Sequence, residues 1–106
     1  MKVIQTEQAP AAVGPYSQAI SVGDFVFTSG QIPADPKTGE LVTDIREATK
    51  QCLENGKAIL EEAGLGLEDV VKVTIFILDM DEFQKVNEEY GKYFDDHKPA
   101  RSCVAV

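Results

Sequence analysis

Tryptophan is absent from these 106 residues, histidine occurs once, and cysteine occurs only at Cys52 and Cys103. Two cysteines so far apart, in segments read below as a helix and a strand, argue against a disulfide framework or a zinc site, so both read as free thiols. Basic residues are also scarce, ten Lys and Arg against eighteen Asp and Glu, which leaves a net charge of −8. An anionic surface of this kind repels phosphates, so neither nucleic acid nor an anionic membrane is an expected partner. Long apolar runs are missing too. The most hydrophobic stretch, Val73 to Leu78, is far short of a bilayer span, and the N-terminus lacks the apolar segment of a secretory signal, so the chain reads as cytoplasmic.

What is present is the balance of an ordinary globular protein, with 43% apolar and 26% charged residues in a length that suits one domain, residues 1–106. The order of elements reads as hairpin, loop, helix, strand, helix, strand. Ala19 to Val22 and Phe25 to Ser29 are β-prone runs separated by Gly23-Asp24, a pair suited to a two-residue turn. Pro33 to Glu40 collects two prolines and a glycine and reads as a surface loop. From Asp44, the residues Ile45, Ala48, Cys52, Gly56, Ile59, Leu60 and Ala63 recur at the spacing of one helical face, with an N-terminal capping pair in Asp44 and Glu47 and a terminating Gly64. A second helix is expected from near Asp81, burying Phe83, Val86, Tyr90 and Phe94, with His97 near its end and Pro99 as its stop.

Between the helices, Val71 to Leu78 places Val73, Ile75 and Ile77 on one face and Thr74, Phe76 and Leu78 on the other. Both faces look destined for burial, yet two helices cover only one side of a small sheet. A subunit interface is therefore expected on the second side, with loops of the same chain as the alternative cover.

Four segments, Gly14-Pro-Tyr-Ser-Gln-Ala19, Phe27-Thr-Ser-Gly-Gln-Ile-Pro33, Val86-Asn-Glu-Glu-Tyr90 and Pro99-Ala-Arg-Ser-Cys-Val104, together resemble the signature blocks of the RidA/YjgF family, in order and across essentially the whole chain. The resemblance implies a chorismate-mutase-like α+β fold, a mixed sheet with two helices on one face, assembled as a homotrimer with active sites between subunits. It also implies an activity, the hydrolysis of reactive 2-imino acids such as 2-iminobutanoate and 2-iminopropanoate to 2-oxo acids and ammonia, with no metal or organic cofactor.

Alternation in the last segment puts Arg101, Cys103 and Ala105 on one face of a strand. A guanidinium matches both oxygens of a carboxylate, and the resemblance makes Arg101 the carboxylate clamp; otherwise it is a surface arginine at a strand end. Cys103 lacks an obvious activating base, so it is read as pocket lining or as a small buried apolar residue. Tyr16 follows the rigid Gly14-Pro15 turn and either holds water or ligand with its hydroxyl or simply packs. Ser29 and Gly30 end a strand, where backbone groups either contact the imine and the attacking water or form a plain turn. Asn87 lies off the apolar stripe of its helix and matches a family position near the cleft, though a solvated helix residue is the alternative. The reading requires the Arg101 guanidinium to face a cavity shared by subunits.

In the family a further turn and strand follow, carrying a glutamate that serves the hydrolytic water, and no residue of this sequence stands at that position. For a chain ending at Val106 the expectation is retained ligand binding and severely reduced turnover. Three other readings compete with imine hydrolysis: a non-catalytic module binding 2-oxo acids, a ribonuclease or translation inhibitor, which the acidic balance opposes, and a chaperone-like surface.

Overall fold

Gly23 carries φ +58° and no residue other than glycine has positive φ, so the first hairpin uses the turn that takes glycine first and leaves Asp24 unstrained. In the computed structural model, which describes residues 1–106, this turn joins β2 (Ala19–Val22) to β3 (Phe25–Thr28), with Val22 opposite Phe25. Ser29 lies just past the strand that was expected to include it. Strand β1 (Lys2–Ile4), which the sequence pattern left unassigned, pairs antiparallel with the other edge of β2. Three residues are too few for an alternation to register.

The long helix α1 (Ile45–Glu62) begins where the Asp44 carboxylate accepts the Glu47 N–H at 3.1 Å. It ends as its glycine predicts: Gly64 has φ +78°, its N–H donates to the Glu61 carbonyl at 3.0 Å, and the Leu65 N–H returns to Leu60 at 2.8 Å. The second helix is shorter than expected. A 3-10 turn, Met80–Glu82, leads into α2 (Phe83–Tyr93), which stops well before Pro99. Asp95 and Asp96 would place negative charge against the negative end of the helix dipole, which disfavours a further turn. His97 consequently lies in the following bend rather than on the helix, with Nε2 2.5 Å from the Val70 carbonyl and so donating to it.

Strands β4 (Lys72–Ile77) and β5 (Ala100–Ala105) run parallel, joined through α2, with Val73 opposite Arg101, Ile75 opposite Cys103 and Phe76 opposite Val104. The α+β class agrees with expectation, but the single mixed sheet does not. The chain forms an antiparallel sheet β1-β2-β3 and a separate parallel pair β4-β5, with no backbone ladder between them.

Both sheets have one covered and one open face. Ile59 of α1 is fully buried against Ile4, Ala9 and Ala19, with Val26, Ala58 and Ala63 around it. On the other pair, Ile77 is buried on the same side as half-buried Val73 and Ile75, while Val86 and Tyr90 of α2 and Phe94 just past its end are buried. The opposite faces expose Val3, Val22, Phe25 and Phe27 on one sheet and Phe76, Leu78, Val104 and Val106 on the other, Phe76 at 66% and Leu78 at 86%. Loops of the same chain therefore do not cover this side. No helix is long and apolar enough to cross a membrane.

Candidate active site

Alternation along β5 turns Arg101 toward α2, and its side chain lies across that helix. The guanidinium carbon is 5.4 Å from the centre of the Phe83 ring and 4.9 Å from that of Tyr90. One Nη1–H donates to Oδ1 of Asn87 at 2.5 Å. Phe83, Asn87 and Tyr90 are four and seven residues along from the first, so they share one side of α2 and meet the cation together.

Arg101 has no carboxylate partner, although carboxylates adjoin Asn87 in sequence. Glu88 and Glu89 are taken by Arg46 of α1, at 2.8 and 3.3 Å, and Glu89 also by Lys92 at 3.1 Å. The hydrogen bond from Lys92, and then that from Arg46, hold Glu89 below the usual carboxylate range despite partial burial. These exposed pairs add little stability, but they leave the Arg101 cation uncompensated. A half-buried guanidinium with one hydrogen bond retains donors in the fork geometry that fits a carboxylate.

Cys103 follows on the same face, half-buried and opposite Ile75. It lines neither of the two concavities described below. The only histidine is committed to the Val70 carbonyl, and no hydrogen bond joins it to this thiol.

The remaining candidates form a second group at the hairpin end. The Ser29 hydroxyl donates to the Ser17 carbonyl at 2.6 Å and its N–H to the Gln18 carbonyl at 2.9 Å, fastening the segment before β2 to the end of β3. Gly30 is exposed beside it. Tyr16 is about half exposed (51%) after a tight turn in which its N–H donates to the Gly14 carbonyl at 2.8 Å. With Ser17 it borders a concavity of about 760 Å³ that also includes Thr6, Gln18 and Lys37. Arg101 lines neither this concavity nor a smaller one of about 410 Å³ around Tyr93 and His97. Within one chain, no hydrogen bond or ring contact joins the Arg101 group to the Tyr16 group.

Two supporting residues were not singled out in the sequence. Gln18 is buried, its Oε1 accepting the Thr6 N–H at 2.7 Å and its Nε2 donating to the Pro10 carbonyl at 2.8 Å, so it shapes the loop beneath Tyr16. Asn55 is buried on α1, with Nδ2 donating to the carbonyls of Ile32 and Ala34 at 3.2 and 3.0 Å, and so holds the loop that follows Gly30. The signal for Asn55 was its place between Cys52 and Ile59 on the apolar stripe.

The fold and this arginine define the chain only as a small α+β protein with a guanidinium that lacks a carboxylate partner near the start of a parallel strand. Comparison with known proteins narrows it. The family described as Endoribonuclease L-PSP matches residues 6–106, and the chain belongs to that family, the one its signature blocks mark as RidA/YjgF. It is 59% identical to a RutC family protein of Pyrococcus abyssi over 106 residues, 99% of this chain and 84% of the relative. It is 52% identical to a 2-iminobutanoate/2-iminopropanoate deaminase of Salmonella typhimurium over 108 aligned positions, with the same coverage of both. Its fold superimposes on Escherichia coli TdcF with bound serine at a TM-score of 0.96 and 48% identity, covering 100% of this chain and 86% of that one. The relatives support membership of a family that contains reactive-intermediate deaminases.

Proposed function

We propose that the protein hydrolyses small 2-imino acids, 2-iminobutanoate and 2-iminopropanoate among them, to 2-oxo acids and ammonia, in clefts between the subunits of a homotrimer. The observation that carries this reading is the Arg101 guanidinium, held on two rings and one amide and lacking a carboxylate of its own in a chain with eighteen acidic residues. Such a cation invites the acid end of a ligand. The serine held by TdcF is a ligand of matching shape, a carboxylate beside a carbon that bears nitrogen.

The chemistry asked of the site is modest, because a protonated imine is already electrophilic. Arg101 grips the carboxylate through parallel N–H donors and fixes the position of the neighbouring imine carbon. Water adds there as the C=N electron pair moves to nitrogen; the carbinolamine then re-forms a C=O bond and expels ammonia, with proton transfers between the two heteroatoms. Asn87 and Cys103 border the ligand. Tyr16 and the Ser29-Gly30 backbone approach from a second subunit, where the Tyr16 hydroxyl and the peptide groups orient the water. The open apolar faces of both sheets are the surfaces through which copies meet.

The test couples the protein to threonine dehydratase and follows ammonia release. Wild type should accelerate release beyond spontaneous hydrolysis, and Arg101→Ala should lose about 30- to 150-fold in kcat/KM, the worth of a charge-assisted bidentate contact. No acceleration by wild type sinks the function, and equal rates for the two proteins remove the role of Arg101.

A further inference from the structure

We infer that Phe83 and Tyr90 are positioning residues, an aromatic seat that presets the Arg101 guanidinium for a carboxylate; this rests on the reading of Arg101 given above. A free arginine side chain samples many rotamers, and a ligand that captures it must first stop that motion. Here the cation is stopped beforehand. Both rings lie within the distance at which a guanidinium is attracted to an aromatic face, at 5.4 and 4.9 Å, and Asn87 Oδ1 fixes its rotation about the long axis. The three contacts come from one side of one helix while the arginine comes from a neighbouring strand, so the packing of α2 on β5 sets the aim of the cation.

Tyr90 adds a second observation. It is buried at 8% exposure, packs against Phe94 in a tilted pair with ring centres 4.8 Å apart, and its hydroxyl has no hydrogen-bond partner. An orphaned buried hydroxyl gives no packing advantage over a plain ring. What the position uses is therefore the aromatic face, which Tyr90→Phe would keep and Tyr90→Leu would remove.

The inference is tested by ligand affinity, kinetics and a direct probe of the cation. Affinity for 2-oxobutanoate, measured by calorimetry, should weaken about tenfold in Phe83→Leu and in Tyr90→Leu, the scale of a partly desolvated cation–π contact. KM should rise by a similar factor with kcat nearly unchanged, and Tyr90→Phe should recover most of what Tyr90→Leu loses. In nitrogen–proton spectra, the Arg101 Nε–H resonance should carry a ring-current shift that is reduced in Phe83→Leu, a readout independent of turnover and of any change in overall stability. If wild type hydrolyses imines while both leucine variants keep its affinity and KM, or if the resonance does not move, the seat is disproved and the proposed function stands. If wild type neither binds 2-oxobutanoate nor accelerates ammonia release, the proposed function itself falls and takes the seat with it.

Discussion

Asn55→Ala should destabilise the protein by about 2–3 kcal/mol, and the structure says where that comes from. The side chain is 1% exposed, donates to the carbonyls of Ile32 and Ala34, and accepts from Gln51 Nε2 at 2.9 Å. No other hydrogen bond reaches the Ala34 carbonyl, and Ala34 is itself buried. Truncation strands that carbonyl at about 1–3 kcal/mol and loses a weaker bond to the more exposed Ile32 at about 1 kcal/mol, while alanine's better helix propensity returns roughly half a kcal/mol. In a domain of this size the midpoint of thermal unfolding should fall by about 10–15 °C. The assay is urea unfolding followed by circular dichroism at one fixed protein concentration, because the midpoint of the proposed homotrimer would depend on concentration. Asn55→Asp, which repels both carbonyls, should be worse than alanine. A loss below about 1 kcal/mol for Asn55→Ala, or an aspartate variant more stable than the alanine one, would refute the claim that this side chain holds the loop.

Three further outcomes are expected. Phe76→Glu puts a charge in the open apolar face and should convert the proposed homotrimer to smaller species in light scattering coupled to gel filtration; an unchanged mass excludes that face as an interface. Gly64→Ala forces a side chain into φ +78° and should cost about 1–2 kcal/mol in urea unfolding, and an unaltered midpoint would mean that the helix end relaxes freely. Burial pushes the Cys52 thiol up to about 11, so at pH 8 only on the order of 10⁻³ of it is thiolate. Its alkylation, followed by intact mass, should rise about tenfold per pH unit until that value, and rapid labelling at pH 8 would contradict the burial.

Much of this architecture is written in local signals. The glycines at 23 and 64 and the aspartate at 44 mark a turn and the two ends of α1, because each supplies a backbone conformation or hydrogen bond that few residues supply as well. The stripe Phe83, Val86, Tyr90 and Phe94 located α2, but its end depended on charge near the last turn rather than on the next proline. Strand β1 was too short to show a period, and the division into two sheets depends on pairing between distant segments, which no local pattern encodes. At the site, the strand alternation correctly put Arg101 and Cys103 on one face, whereas the ring contacts beneath the guanidinium depend on how α2 settles over β5. Asn55 and Gln18 were passed over because buried polar residues look like surface residues until their partners, many positions away, are known.

The parallel crossover β4–α2–β5 carries Arg101, Asn87, Phe83, Tyr90 and Cys103 in a single contiguous stretch of chain, while Tyr16, Ser29 and Gly30 belong to the amino-terminal hairpin region. Under the proposed function, acid recognition and the orienting of water would thus fall on separate stretches of the chain. On that proposal, substitutions in the amino-terminal stretch would retune what happens to a captured metabolite without loosening the grip that the crossover provides.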